Sequence, residues 1–189
     1  DEELERLQQG MHELMQAPIF IDDKPANTVM NMRSVLRKLA HEKPVGLVIV
    51  DYLQLMGTSR TYENMVNQVT EISRSLKGLA KEFNVPVIAL SQLSRAVESR
   101  GGRPRLSDLR DSGSIEQDAD IVMFIHREDK YGENVEKKNV VEILIEKHRN
   151  GPTGTLELFF DHKKASFLSI EKNEFGDFEM PKVDTFDDF

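Results

Sequence analysis

Four groups of residues in this chain have types and spacings that could do chemistry. The first is Asp51, which closes the apolar run Val45-Gly-Leu-Val-Ile-Val50. A hydrophobic run ending in Asp is the form of a Walker B segment, whose carboxylate holds Mg²⁺, usually through water. The same pattern also describes a strand that simply ends in a polar residue. Gln92 is the second: it follows another apolar run, Val87-Ile-Ala-Leu90, and a neutral amide there can sense a phosphate or hold a water. Lys147 and Arg149 form the third group. Two residues apart at a strand end, they point to one face, with His148 on the other, and two cations on one face suit a phosphate, including one bound to a neighbouring subunit. The fourth is the stretch from Arg95 to Arg110, with five arginines (95, 100, 103, 105, 110) against Glu98 and Asp108. Such a segment, with Gly101 and Gly102, suits a loop that grips a nucleic-acid backbone. Few aromatics interleave, so base stacking is not indicated.

What is missing also carries information. GxxxxGK[ST], the motif that cradles a triphosphate, occurs nowhere, and neither does a Gly-x-Ser-x-Gly elbow. The five histidines (12, 41, 126, 148, 162) have no metal-ligand spacing, and with no cysteine there is no thiolate zinc site, Cys nucleophile or disulfide framework.

The elements that must position these residues follow from periodicity. Leu4, Leu7, Met11, Leu14 and Met15 recur at helical spacing and predict a short opening helix that Pro18 ends. Ile19–Ile21 reads as a short strand. Val29, Met32, Val35, Leu36 and Leu39 mark a second helix, stopped by Pro44. Val45–Val50 is continuously apolar, the pattern of a strand buried on both faces in a parallel sheet. A polar stretch from Gly57 to Asn64 leads into a long helix with the stripe Met65, Val66, Val69, Ile72, Leu76, Leu79, Ala80 and Phe83, and the second buried run then follows Pro86. Strand, helix and strand so connected make a βαβ unit. Ser94 to Gly113 reads as a long loop and Ala119 to Ile125 as a third buried strand. Lys130 to Lys138 reads as a charged hairpin-like turn. Three closely spaced strands, 140–145, 155–160 and 167–170, predict an antiparallel or mixed edge.

The chain has 189 residues, 39% hydrophobic and 31% charged, which suits one domain with a core of its own. No apolar run approaches the ~18 residues of a membrane span, and the charged start DEELERLQQG is not a signal peptide. The expected location is therefore cytoplasmic. The net charge of −8 is uneven. Glu171 to Phe189 carries seven acids against Lys172 and Lys182, so an acidic total leaves room for a basic patch in the middle. The expected division is a domain over residues 1–170 and an acidic tail over 171–189.

Four ordered segments, GLVIVDYLQLM (Gly46 to Met56), EISRSLKGLAKEFNVPVIALSQLSRAVESR (Glu71 to Arg100), LSDLRDSGSIEQDADIVMFIHRED (Leu106 to Asp129) and KHRNGPTGT (Lys147 to Thr155), resemble the DnaB-type replicative DNA helicases. The resemblance implies an α/β fold, a RecA-like P-loop NTPase core with a mostly parallel central sheet flanked by helices and antiparallel strands at one edge. Here that core would lack its P-loop strand and helix. It implies a homo-hexameric ring around single-stranded DNA, translocating 5′ to 3′ with ATP and Mg²⁺. On this resemblance Asp51 matches the Walker B carboxylate that coordinates Mg²⁺ through water. Gln92 matches the sensor glutamine between γ-phosphate and DNA loops. Lys147 and Arg149 match the pair that reaches a neighbour's nucleotide, with Arg149 as arginine finger. Arg110, Asp111 and Gly113 match a DNA-contacting loop in the central channel, and the polar stretch from Gly57 to Asn67 matches the other channel loop. Primase and a helicase loader are the implied partners of the full-length protein, with no membrane involved.

The chain departs from the family pattern in places. The family's P-loop and catalytic glutamate lie upstream of the segment matching Asp1, so the isolated chain is expected not to hydrolyse ATP. Asp111 stands where Glu is more usual, and Asn64-Met-Val-Asn67 replaces a more polar stretch. The competing expectation is a standalone, non-catalytic protein that binds DNA or caps a helicase ring.

Overall fold

The computed structural model describes residues 2–128, 139–172 and 178–179, with the backbone alone described at 98, 110–112, 171–172 and 178–179. Its helices begin and end where local chemistry asks. Helix α2 (Val29–Glu42) starts at Thr28, whose hydroxyl accepts the Asn31 amide at 3.2 Å. Helix α3 (Met65–Phe83) starts at Asn64, whose side chain accepts the Asn67 amide at 2.9 Å. Both caps satisfy a backbone donor that the first helical turn leaves free. Helix α3 stops at Asn84, left-handed at φ 50°, with its amide on the Ala80 carbonyl. The predicted opening helix is present as α1 (Glu2–Gln16), with Glu2, Glu3 and Glu5 in its first turn. Its apolar stripe is exposed, however, and no residue of α1 is buried among the described residues.

Strands β1 (Val48–Val50) and β2 (Val87–Ala89) flank α3 in sequence and pair in parallel, Val48 opposite Val87 and Val50 opposite Ala89. This is the expected strand–helix–strand unit. Ile72, Leu76 and Leu79 of α3, the last fully buried, meet Val50, Leu53 and Met56 from β1 and the 3₁₀ turn Leu53–Leu55, with Leu36 of α2. A separate four-stranded antiparallel sheet runs in the order β3 (Ile121–His126), β4 (Val140–His148), β5 (Gly154–Asp161), β6 (Ser166–Ser169). Val122, Phe124 and Leu144 form its core with Leu109. The short helix α5 (Gly113–Asp118) joins the two halves: its Ile115 packs against both cores, and its Asp118 accepts a hydrogen bond from Ser73 of α3 at 2.8 Å.

Several expectations need correction. Ile19–Ile21 is not a strand, and these residues lie exposed with no strand beside them among those described. The continuous apolar runs are not buried on both faces. In β3, Val122, Phe124 and His126 point inward, while Ile121, Met123 and Ile125 point out, Ile125 being 65% exposed. Ile49 of β1 and Ile88 of β2 are exposed in the same way. Helices α2 and α3 cover one face of the parallel pair, and no described element covers the other. Parallel pairing is confined to β1 and β2 among the named strands. The expected turn over 130–138 lies outside the described residues. Within the expected tail, β7 (Glu171–Lys172) pairs with β8 (Phe178–Glu179), and the rest lies outside the described residues.

The stretch 94–113 is not one loop. It folds into α4 (Ala96–Arg100) and a 3₁₀ turn, Leu106–Ser112. Apolar anchors and ion pairs outweigh its glycines. Val97 and Leu109 are buried, and Arg100 grips Asp108 with both terminal nitrogens at 2.8 Å. Asp108 is itself buried and accepts the Arg105 amide at 2.7 Å. Arg103 reaches Glu142 of β4, its Nε at 2.9 Å. Two of the five arginines are therefore committed to holding the segment in shape.

The Arg100 guanidinium, helped by the Arg105 amide, holds the Asp108 carboxyl below the usual carboxylate range. A depressed folded-state pKa means stabilisation that is present above the unfolded value of about 3.9 and lost as pH falls through the folded value. Asp108→Asn should melt several degrees below the parent at pH 7, with the gap closing in acid below about pH 4. Thermal melts of both across pH check this, and equal melting at pH 7 would refute it.

Candidate functional site

The rim of the parallel pair is built by continuing its hydrogen bonds past the strands. The Leu90 amide donates to the Val50 carbonyl and the Leu53 amide to the Leu90 carbonyl, both at 2.9 Å. Asp51 and Ser91-Gln92 consequently emerge on the same edge, the carboxyl end of both strands, where open α/β sheets bind ligands. Asp51 is exposed; the peptide after it is cis. Its carboxylate has no hydrogen bond or ion pair among the described residues.

Gln92 is held by a residue that the reading of the sequence did not single out. The Gln54 side-chain oxygen accepts the Gln92 amide at 3.3 Å, and its nitrogen donates to the Ser91 hydroxyl at 3.0 Å and the Gln92 carbonyl at 3.4 Å. One amide side chain thus holds both main-chain polar groups of Gln92 and the Ser91 hydroxyl, and leaves the Gln92 residue exposed. The signal was a lone amide between Leu53 and Leu55 in a turn that is otherwise apolar.

Lys147 and Arg149 do share a face. Lys147 Nζ donates to the Glu116 carbonyl and Arg149 Nη2 to the Gln117 carbonyl at 3.1 Å. Both cations lie at the C-terminal end of α5, where the helix dipole favours positive charge. Arg149 also pairs with Asp120 at 3.3 Å, and Lys77 of α3 pairs with the same carboxylate. These cations, Lys77 foremost, hold the Asp120 carboxyl below its ordinary range. His148 points elsewhere, its Nδ1 3.2 Å from the Pro152 carbonyl. A Cβ on Gly151 would meet the His148 ring, so a larger residue there would displace that ring.

Arg110 and Asp111 lie in the 3₁₀ turn Leu106–Ser112, described there by their backbone, and Gly113 opens α5 directly after it. At φ −52° and with no atom within 4 Å of where a Cβ would be, Gly113 is demanded neither by backbone angle nor by crowding. The other expected channel loop is anchored at both ends. A Cβ on Gly57 would meet the Ala26 carbonyl at 2.5 Å, and the Tyr62 hydroxyl donates to Glu71 of α3, a bond that raises the pKa of the phenol. Gln68 donates to the Met56 carbonyl at 2.9 Å.

Asp51 and Gln92 therefore share one rim, and Lys147 and Arg149 share one strand tip. No hydrogen bond or ion pair among the described residues joins the two groups. Among those residues no cluster of three or more His, Cys, Asp or Glu could hold a metal, and no helix is long and apolar enough to cross a membrane. Asp51 fits the one role asked of it toward Mg²⁺, a free carboxylate able to hold a hydrated ion.

Residues 1–169 match the model of the DnaB-like helicase C terminal domain. The chain is 49% identical over 178 residues to the replicative DNA helicase DnaB of Geobacillus stearothermophilus, covering 93% of this chain and 39% of that protein. It is 47% identical over 183 residues to the replicative DNA helicase DnaC of Bacillus subtilis (strain 168), covering 96% of this chain and 40% of that one. The chain thus spans about two fifths of the curated relatives it matches. Among solved structures, an ATPase domain superposes with a TM-score of 0.86 at 43% identity, over 90% of this chain and 61% of that one. A DnaB-like replicative helicase, studied with its interactions with primase, gives the same score and identity over 42% of its chain. The fold described above is a partial RecA-like α/β core, and the chain belongs to the DnaB-like helicase C terminal domain family.

Proposed function

We propose that this chain is the C-terminal part of a hexameric replicative DNA helicase, which couples ATP hydrolysis to 5′–3′ translocation on single-stranded DNA and unwinds the duplex. The observation that carries the proposal is the family match over residues 1–169, a span that includes the two polar groups of the rim, Asp51 and Gln92. In this reading Asp51 would hold a hydrated Mg²⁺, which would supply charge neutralisation for the phosphates. Gln92, fixed in place by Gln54, hydrogen-bonds the γ-phosphate edge and passes its position to the segment that follows. Lys147 and Arg149 present their charges to the nucleotide of the neighbouring subunit. MgATP, when bound, supplies the free energy of phosphoanhydride hydrolysis. These 189 residues contain no cradle for the triphosphate, so in the assembly it comes from the rest of the full-length protein, and this chain alone does not hydrolyse ATP.

Arg110, Asp111 and Gly113 face the DNA backbone in the ring's channel. An uncrowded glycine at the start of α5 leaves room for a phosphate to approach the main chain closely. Primase and a loader bind the full-length helicase, which works in the cytoplasm, and the 171–189 segment is an appended acidic tail.

Two experiments test this. In the full-length protein, Arg149→Ala should lower DNA-stimulated ATPase by about 10³-fold or more, as for other fingers supplied in trans. Mixing Arg149→Ala subunits with Asp51→Asn subunits should restore part of the activity, because mixed interfaces of one of the two orders then combine an intact Asp51 with an intact Arg149. Full activity of Arg149→Ala, or no recovery on mixing, would reject the trans assignment. Separately, Arg110→Ala should weaken single-stranded DNA binding irrespective of sequence and reduce the slope of log K against log salt by about 0.7. An unchanged slope in a titration at several salt concentrations would remove Arg110 from the interface.

A further inference from the structure

The strand tip that carries Lys147 and Arg149 also holds Lys77 and Asp120. Asp120 stands directly before β3, and the Arg149 amide donates to its carbonyl at 2.8 Å, so the two residues are fixed side by side by the backbone. The Asp120 carboxylate meets Arg149 Nε at 3.3 Å and Lys77 Nζ from α3. Lys147 lies close enough to add its field. Three cations converge on one carboxylate, an excess of positive charge that suits an incoming anion. Carboxylate and phosphate oxygens offer a guanidinium the same acceptor chemistry, and Arg pairs well with either. The Asp120 and Arg149 side chains are half exposed, at 53% and 50%, so the pair is weakly held and open to exchange.

We propose that Asp120 is the resting counter-ion of Arg149: the carboxylate holds the guanidinium in the place of a phosphate, and Arg149 exchanges it for a phosphate of the neighbouring subunit's nucleotide. This rests on the reading of Arg149 given above and deepens it. Lys77 makes the exchange feasible, since it remains on Asp120 when Arg149 leaves and no carboxylate is stranded. Departure of Arg149 also frees the Gln117 carbonyl, at the end of the helix that begins at Gly113. The exchange thereby loosens α5 at the end opposite the DNA-facing turn. Asp120 and Lys77 are positioning residues, acting through Arg149.

The test uses the full-length protein with Asp120→Asn, Lys77→Met and each combined with Arg149→Ala. Asp120→Asn removes the competing charge at constant shape and should raise DNA-independent kcat about two- to fivefold, the range of a weak exposed ion pair, with the KM for ATP little changed. The gain should vanish in the double variant with Arg149→Ala. Lys77→Met leaves Arg149 as the one ion-pair partner of Asp120 and should lower kcat by a similar factor. A merely structural role would move both variants downward together, with lower melting temperatures. Changes of the same sign, no change in either, or a gain that survives Arg149→Ala would each overturn the exchange. Should Asp120→Asn fail to fold, the direction of Lys77→Met decides. If Arg149→Ala by itself leaves activity intact, the trans reading fails first, and that outcome is separate from the others.

Discussion

Helix α3 is packed on more than one side, and this double duty locates everything else. Ile72, Leu76 and Leu79 close the core beneath β1 and β2. Ser73 and Lys77, on the neighbouring stripe, hold Asp118 at the end of α5 and Asp120 just before β3. Burial on the first stripe is non-directional and strong, whereas the polar bonds on the second are weak but specify position. One helix thus sets the parallel rim and the antiparallel sheet against each other without a large interface between the sheets. Tyr62 adds a third tie, joining the preceding loop to Glu71 of the same helix.

The arginine-rich segment shows how charge divides between structure and ligand. Arg100 and Arg103 are occupied by Asp108 and Glu142, and their ion pairs shape the segment that leads into the Leu106–Ser112 turn. The basic character visible in composition therefore overstates the charge available to an outside anion. Bidentate pairing with a buried carboxylate restrains backbone, as hydrogen bonds to charged groups do, and Asp108 adds the Arg105 amide to that restraint.

Much of this was legible in the sequence. The stripe of α3 and the paired apolar runs around it predicted the βαβ unit, and Asp51 and Gln92 fell on one rim because both runs end there. The spacing of Lys147 and Arg149 placed them on one face. Other features depend on partners distant in the chain and left no periodic trace. Gln54 acts on residues 37 and 38 positions away, and Asp120 draws its cations from α3 and from the tip of β4. The error over buried strands has a simple origin: an apolar run reports what a strand is suited to, while exposure reports what covers it. Ile19–Ile21 is apolar and exposed for the same reason.

That uncovered apolar surface has a practical side. Ile49 and Ile88 of one sheet and Ile121, Met123 and Ile125 of the other are exposed in the folded chain, and exposed apolar side chains grouped on a sheet face are what soluble monomers seldom show in quantity. Dyes that brighten on exposed hydrophobic surface, the usual reporters of loosened packing, would light up on this native fold. Purified alone, the chain would therefore look partly molten to such a dye while its near-UV signal reported fixed side chains.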